Sequence, residues 1–211
     1  MADLDEIYNT RILELAGAMT RGERLEHPDA TATAHSKLCG STVSVDIKMR
    51  DGRVADAYGE YFSGYRQDPE AELATAFEEP AGYSDMVMLS GIRFESHCEH
   101  HIAPFYGKAH VAYILNGRIA GLSKIARVVE IFARRLQTQE TLTSEIAKTI
   151  ELALDAKGVA VMMSAEHQCM AMRGVRQTNV ATITTHFLGR FESDEALRAR
   201  FIALAQIKKD A

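Results

Sequence analysis

The stretch Met86-Val87-Met88-Leu89-Ser90-Gly91-Ile92-Arg93-Phe94, continued by Glu95-Ser96-His97-Cys98-Glu99-His100-His101, decides how the rest of the chain is read. Its first nine residues favour a strand, and so do Tyr106–Leu115 beyond it, so the Cys98–His101 turn joins strand to strand. Asn116-Gly117 is then a two-residue hairpin signal. Working outward, Ser123–Leu136 places Ile125, Val128, Val129, Phe132 and Leu136 on one helical face, and Ser144–Ala156 repeats the pattern with Ile146, Ile150, Ala153 and Leu154. Gly158–Ala165 and Val180–Leu188 return to β-rich composition, before a last helix from Asp194 to about Gln206 with Ser193 as its N-cap. The order β-β-α-α-β-β plus a terminal helix predicts an α+β fold whose helices cover one face of a sheet.

Upstream, Leu4, Tyr8, Ile12, Leu15 and Met19 recur at three- and four-residue steps and predict an amphipathic helix. Thr31–Ser36 and Thr42–Met49 follow; in the second, Val43, Val45 and Ile47 alternate with Ser44, Asp46 and Lys48, the mark of a half-buried strand that turns at Asp51-Gly52. Tyr58–Tyr65 ends one helical pattern, and Asp68-Pro69 opens another through Phe77. The 211 residues suffice for one domain with a short appendage. No apolar run approaches the roughly 18 to 20 residues of a spanning helix, and the acidic start does not resemble a signal peptide, so the expected location is the cytoplasm. A net charge of −5 and a pI near 5.9 argue against a general nucleic-acid or anionic-membrane surface. Any anionic ligand must be held by a local basic cluster. Three dispersed cysteines form no disulfide framework and fit a reducing compartment.

Cys98 and His101, three positions apart on a tight turn, can reach one ion, and Cys169 in Glu166-His167-Gln168-Cys169-Met170 offers a third soft ligand. That donor set suits an open zinc site. His100 and His167 stand one and two residues from the proposed ligands, where they can move protons near neutral pH. A chance surface cluster beside an ordinary buried thiol would use the same letters. Gly121-Leu122-Ser123-Lys124-Ile125-Ala126-Arg127 is a helix start bearing a hydroxyl, an ammonium and a guanidinium, suited to phosphate oxygens. Taken alone, a solvated helix face is the simpler reading of the same stretch. Arg173, four positions from Cys169, extends the anion reading, and the Glu140 carboxylate can accept two N–H bonds from the Watson–Crick edge of guanine or simply complement a helix dipole.

Together Phe94–His101, Gly121–Lys124, Arg127–Gln137, Gln139-Glu140, His167–Met170 and Arg173-Gly174 resemble GTP cyclohydrolase I, from about Arg53 to the C-terminal helix. The resemblance implies the tunnelling fold, in which strands of neighbouring subunits join into a pentameric barrel and two pentamers stack into a homodecamer with active sites at subunit boundaries. It implies Zn2+ held by Cys98, His101 and Cys169, acid–base histidines at His100 and His167, guanine held by Gln139 and Glu140, and triphosphate and ribose faced by Ser123, Lys124, Arg127 and Arg173. The implied reaction is hydrolytic opening of GTP at C8, loss of formate, and reclosure to 7,8-dihydroneopterin triphosphate. Residues 1–52 depart from that pattern. Tyr8–Ala16 with Ala30–Val43 resembles the opening of IscU/NifU-like iron–sulfur scaffolds, yet only Cys39 matches a cluster ligand there, and one thiolate cannot hold a cluster that takes four. The expected division is therefore a scaffold-like segment, 1–52, and a cyclohydrolase domain, 53–211; the alternative is a non-catalytic iron–sulfur or zinc-handling scaffold on an inactive oligomer.

Overall fold

A computed structural model describes residues 26–35, 42–47, 58–78 and 82–207. The expected Leu4–Met19 helix, Cys39 and the Asp51-Gly52 turn lie outside the described residues. The chain divides into two compact units, Met1–Ala55 and Asp56–Ala211. In the first, β1 (Ala30–His35) pairs antiparallel with β2 (Thr42–Ile47), from Ala30 opposite Ile47 to His35 opposite Thr42. Thr31 donates to Asp46 across the ribbon at 2.7 Å, and the hydroxyls of Thr33 and Ser44 meet at 2.9 Å.

The second unit is built on a five-stranded sheet. After α1 (Pro69–Leu73) and the short β3 (Phe77–Glu78) come β4 (Met86–Cys98), β5 (Pro104–Ile114) and β6 (Arg118–Ile119). Then follow α2 (Leu122–Ala133), β7 (Leu136–Gln137), α3 (Gln139–Leu154), β8 (Gly158–His167), α4 (Gln168–Ala171), β9 (Ala181–Gly189), α5 (Arg190–Ser193) and α6 (Glu195–Gln206). The strand order is β7-β4-β5-β8-β9. Register sets one end of the sheet at Met86, Ile114, Gly158 and Gly189, and the other at His97, Pro104, His167 and Ala181. Between Leu89 and Ile92 the β4–β5 pairing slips at a bulge, where Gly91 takes a φ of 79°, a left-handed conformation that costs glycine little.

Strand alternation divides the core in two. On one face, Val111, Tyr113, Val159 and Val161 pack against Ile125, Val128 and Phe132 of α2 and Leu142, Ile146 and Ile150 of α3. On the other, Ala112, Ile114 and Ala160 meet Phe191 of α5 and Phe201 of α6. The helices therefore cover both faces, because residues adjacent in one strand point to opposite sides of the sheet.

Several boundaries differ from the sequence expectation. The last helix is capped by Asp194, whose carboxylate accepts from the Leu197 N–H at 3.0 Å, while Ser193 closes α5. α3 starts at Gln139 because Thr138 caps it, its hydroxyl accepting from Thr141 N–H at 3.1 Å. α2 stops at Ala133, which frees Leu136 to join β7. α1 ends at Leu73, so Phe77 falls in a strand. Gly117, at φ 80°, does make a turn, but Arg118-Ile119 pairs with Glu78 and Phe77 and not with β5, so no hairpin forms there. Among the described residues no helix is long and apolar enough to cross a membrane.

Candidate active site

Chemistry-bearing residues gather at the His97/His167 end of the sheet. β7 runs parallel to the tip of β4, setting Leu136 beside His97 and Gln137 beside Cys98, and α3 begins two residues later at Gln139. The turn after β4 is closed by its own backbone: Cys98 N–H donates to Ala103 O at 2.9 Å, and Ile102 N–H to Cys98 O at 2.8 Å. Glu99 N–H donates across to Gln137 O at 3.0 Å. Closing so tightly puts Ile102 at a φ of 54°, an unfavourable left-handed conformation for a β-branched residue that the surrounding bonds hold in place.

That turn folds His101 back over Cys98, with Nδ1 3.7 Å from Sγ. β8 ends beside β5 and delivers Cys169 on the first turn of α4, so that one donor atom from each of Cys98, His101 and Cys169 lies within 4.8 Å of the others. Donors on a tetrahedral zinc, with Zn–S near 2.3 Å and Zn–N near 2.0 Å, stand about 3.5–3.8 Å apart, so the spacing fits after small side-chain adjustment. Cys98 is buried, Cys169 half-buried and His101 exposed, so an ion held here is closed on the protein side and open on the His101 side. The electrostatics agree. Burial and the neighbouring Cys98 thiol push the Cys169 thiol up, against an opposing pull from Arg173, and a divalent cation relieves that penalty. His101 is held below its ordinary value by burial, then by Arg173 and His100.

His100 brings Nδ1 to 3.8 Å from Cys98 Sγ. His167 lies flat on Phe105, its partner in the β5–β8 register, with ring centroids 4.6 Å apart and planes 3° from parallel. Its Nε2 is 2.8 Å from Gln139 Oε1. Burial lowers the His167 pKa, and the carboxylate of Glu140 raises it, which places Glu140 within electrostatic reach of the ring. Glu140 itself is exposed in the first turn of α3.

The structure thus gathers Cys98, His100, His101, His167, Cys169, Arg173, Gln139 and Glu140. Gln139 is 1% exposed and its amide nitrogen is engaged by Thr182 O at 2.9 Å, Thr184 Oγ1 at 3.1 Å and Met163 O at 3.3 Å, so its side chain sits behind His167. Ser123, Lys124 and Arg127 are elsewhere in the chain. They lie toward the start of α2, and at 1.5 Å per residue Lys124 is about 15 Å and Arg127 about 10 Å from Arg134, at the end that rejoins the cluster through β7. There Lys124 bonds Glu72 of α1 at 2.9 Å, and Arg127 stands 3.7 Å from the same carboxylate, which these cations, Lys124 first, hold below the usual range. Arg127 also lines an open groove of about 580 Å³ among α2, β4 and β5, together with Arg93, Lys108, Arg134, Glu95 and Glu130. Glu72 and Phe105 carry no sequence signal, since each acquires its role from a contact across the fold.

A profile of the GTP cyclohydrolase I family matches residues 40–206, so β2 falls inside the match. The GTP cyclohydrolase 1 of Allorhizobium ampelinum is 56% identical over 154 residues, covering 73% of this chain and 77% of that one. Those of Brucella suis and Brucella canis are 58% and 57% identical over 152 residues, covering 72% of this chain and 71% of theirs. The apo archaeosine synthase QueF-Like is a distant likeness, with a TM-score of 0.41 and 18% identity over 51% of this chain and 96% of that one.

Proposed function

This chain belongs to the GTP cyclohydrolase I family, has its α+β tunnelling-type fold and is an enzyme of that kind; on that premise we propose that it uses zinc to convert GTP and water into 7,8-dihydroneopterin triphosphate and formate. The observation that carries the proposal is the convergence of Cys98, His101 and Cys169 beside His167 and Glu140. Cys98, His101 and Cys169 would hold the ion, whose chemistry is to act as a Lewis acid and supply a water-derived nucleophile near neutral pH. The other groups bind the substrate and move its protons. Glu140, exposed on the first turn of α3, accepts the N1–H and 2-amino hydrogens of guanine, which fixes the base and presents C8. His100 and His167 serve the proton transfers: to N7, which makes C8 electrophilic, and away from the attacking water.

Arg173, close enough to act on the pKa values of His101 and Cys169, neutralises one end of the triphosphate. Ser123, Lys124 and Arg127 stand about 10–16 Å along α2 from the end that rejoins the cluster of the same chain. We assign them to a substrate held by a neighbouring copy, in a homodecamer of two stacked pentamers. In that reading the basic groove along α2 receives phosphates of a nucleotide whose base lies on the next subunit. For residues 1–52 we propose a structural role, because the Cys39 thiol alone cannot assemble an iron–sulfur cluster.

The test is direct. Purified protein should be colourless, carry about one zinc per chain, and release formate and a product fluorescent after oxidation in equal amounts from GTP. Fully zinc-loaded protein that releases no formate would overturn the reading, as would a brown protein rich in iron and sulfide.

A further inference from the structure

Gln139 is buried at the N-terminus of α3, and every hydrogen-bonding direction around it can be assigned. Thr143 Oγ1 donates to Gln139 O at 2.6 Å, so in its 2.7 Å contact with Thr184 it must accept, and Thr184 must donate. Thr184 Oγ1 is then free to accept from the Gln139 amide at 3.1 Å. The same amide atom faces two backbone carbonyls, Thr182 O at 2.9 Å and Met163 O at 3.3 Å, which only a donor can satisfy. It is therefore nitrogen, and the amide cannot be reversed without setting oxygen against two carbonyl oxygens in a buried site. Oε1 is left as the atom 2.8 Å from His167 Nε2. An amide oxygen only accepts, so Nε2 carries a hydrogen.

From this we infer that Gln139 is a positioning residue that holds the His167 ring by its Nε2–H, leaving Nδ1 as the ring nitrogen that meets the substrate or its attacking water. The inference rests on the acid–base reading of His167 and goes beyond it by naming the working atom and what selects it. Phe105 completes the device: stacked at 4.6 Å, it prevents the ring from leaving its plane, while Gln139 prevents it from turning within the plane. No described residue hydrogen-bonds Nδ1. Gln139 thus contributes to the base pocket through His167, and its buried amide has no hydrogen left to offer guanine.

The experiment uses the zinc-loaded enzyme. In Q139M, which keeps length and volume but loses both polar atoms, kcat should fall on the order of 10²-fold, the worth of a well-placed acid–base group, with KM for GTP changed less than about twofold. A raised KM at constant kcat in Q139M would mean that Gln139 binds the base, which overturns the inference. Nitrogen-15 spectra of histidine-labelled, unmodified enzyme should show His167 protonated at Nε2 and bare at Nδ1; the opposite tautomer overturns the inference whether or not Q139M folds. Normal turnover by H167A would instead remove the acid–base reading itself.

Discussion

The two ends of the central sheet are built on opposite plans. At the Met86/Ile114 end, Ala112, Ile114 and Ala160 are sealed by Phe191 and Phe201, and stability there comes from apolar area removed from water. At the His97/His167 end the buried groups include Ser96, Gln137, Gln139 and Thr143, interleaved with two thiols and four imidazoles. Burying such groups is unfavourable unless each finds a partner, and here they do: Ser96 Oγ bonds Arg135 O, and Gln137 Nε2 bonds Glu145 at 2.8 Å. One end holds the sheet together. The other holds side chains at fixed directions, a more demanding arrangement that a fold keeps where chemistry requires it.

The comparison can be broken most severely at the polar end. Replacing Cys169 by Ser should abolish both stoichiometric zinc and formate release, because a hydroxyl is a far poorer ligand than a thiolate for this ion. Retained zinc with normal turnover would refute the ligand set. At the apolar end, F201A should cost about 3–5 kcal/mol of unfolding free energy in denaturant titration, leaving metal content per folded molecule unchanged. If zinc is lost in proportion, the two ends are not independent. Arg173→Ala and Lys124→Ala should each raise KM for GTP by roughly tenfold through lost charge-assisted phosphate contacts, with little change in guanosine binding. Equal use of guanosine and GTP by the unmodified enzyme would contradict this.

The smallest effect tests the middle of the sheet. His110, buried with Nδ1 2.9 Å from Ser90 Oγ, is held below its ordinary pKa by burial and then by Lys108. Its neutral form is favoured in the folded state, so the unfolded state binds more protons between the lowered value and about 6.5, and stability should decline as pH falls through that window. His97, lowered by burial and then Arg134, adds a slope of the same sign. The melting midpoint followed from about pH 7 to about pH 5 should fall less in H110N than in the unmodified protein. Equal slopes would exclude His110 as a contributor.

Much of this was legible in sequence because it depends on short-range periodicity. Alternation and helical steps identified the second unit's long strands and helices, and three-residue spacing on a turn identified Cys98 and His101 as partners. Local readings failed where a neighbour in space outweighed the local rule. Leu136 left its helical stripe for a strand beside His97.

By itself, then, the sequence determined the α+β order, the motifs that mark the family and the close spacing of Cys98 and His101, each carried by residues close together in the chain. Only the tertiary structure decided that Cys169 meets Cys98, that Gln139 turns inward to hold His167, that Glu72 clasps Lys124, and that α6 covers the face opposite α2 and α3. Each of those pairings spans 28 residues or more wherever a single bond makes it, as between Gln139 and His167 or Glu72 and Lys124. Strand register and the side of the sheet to which each residue points bring such groups together, and neither is encoded in any local run of residues.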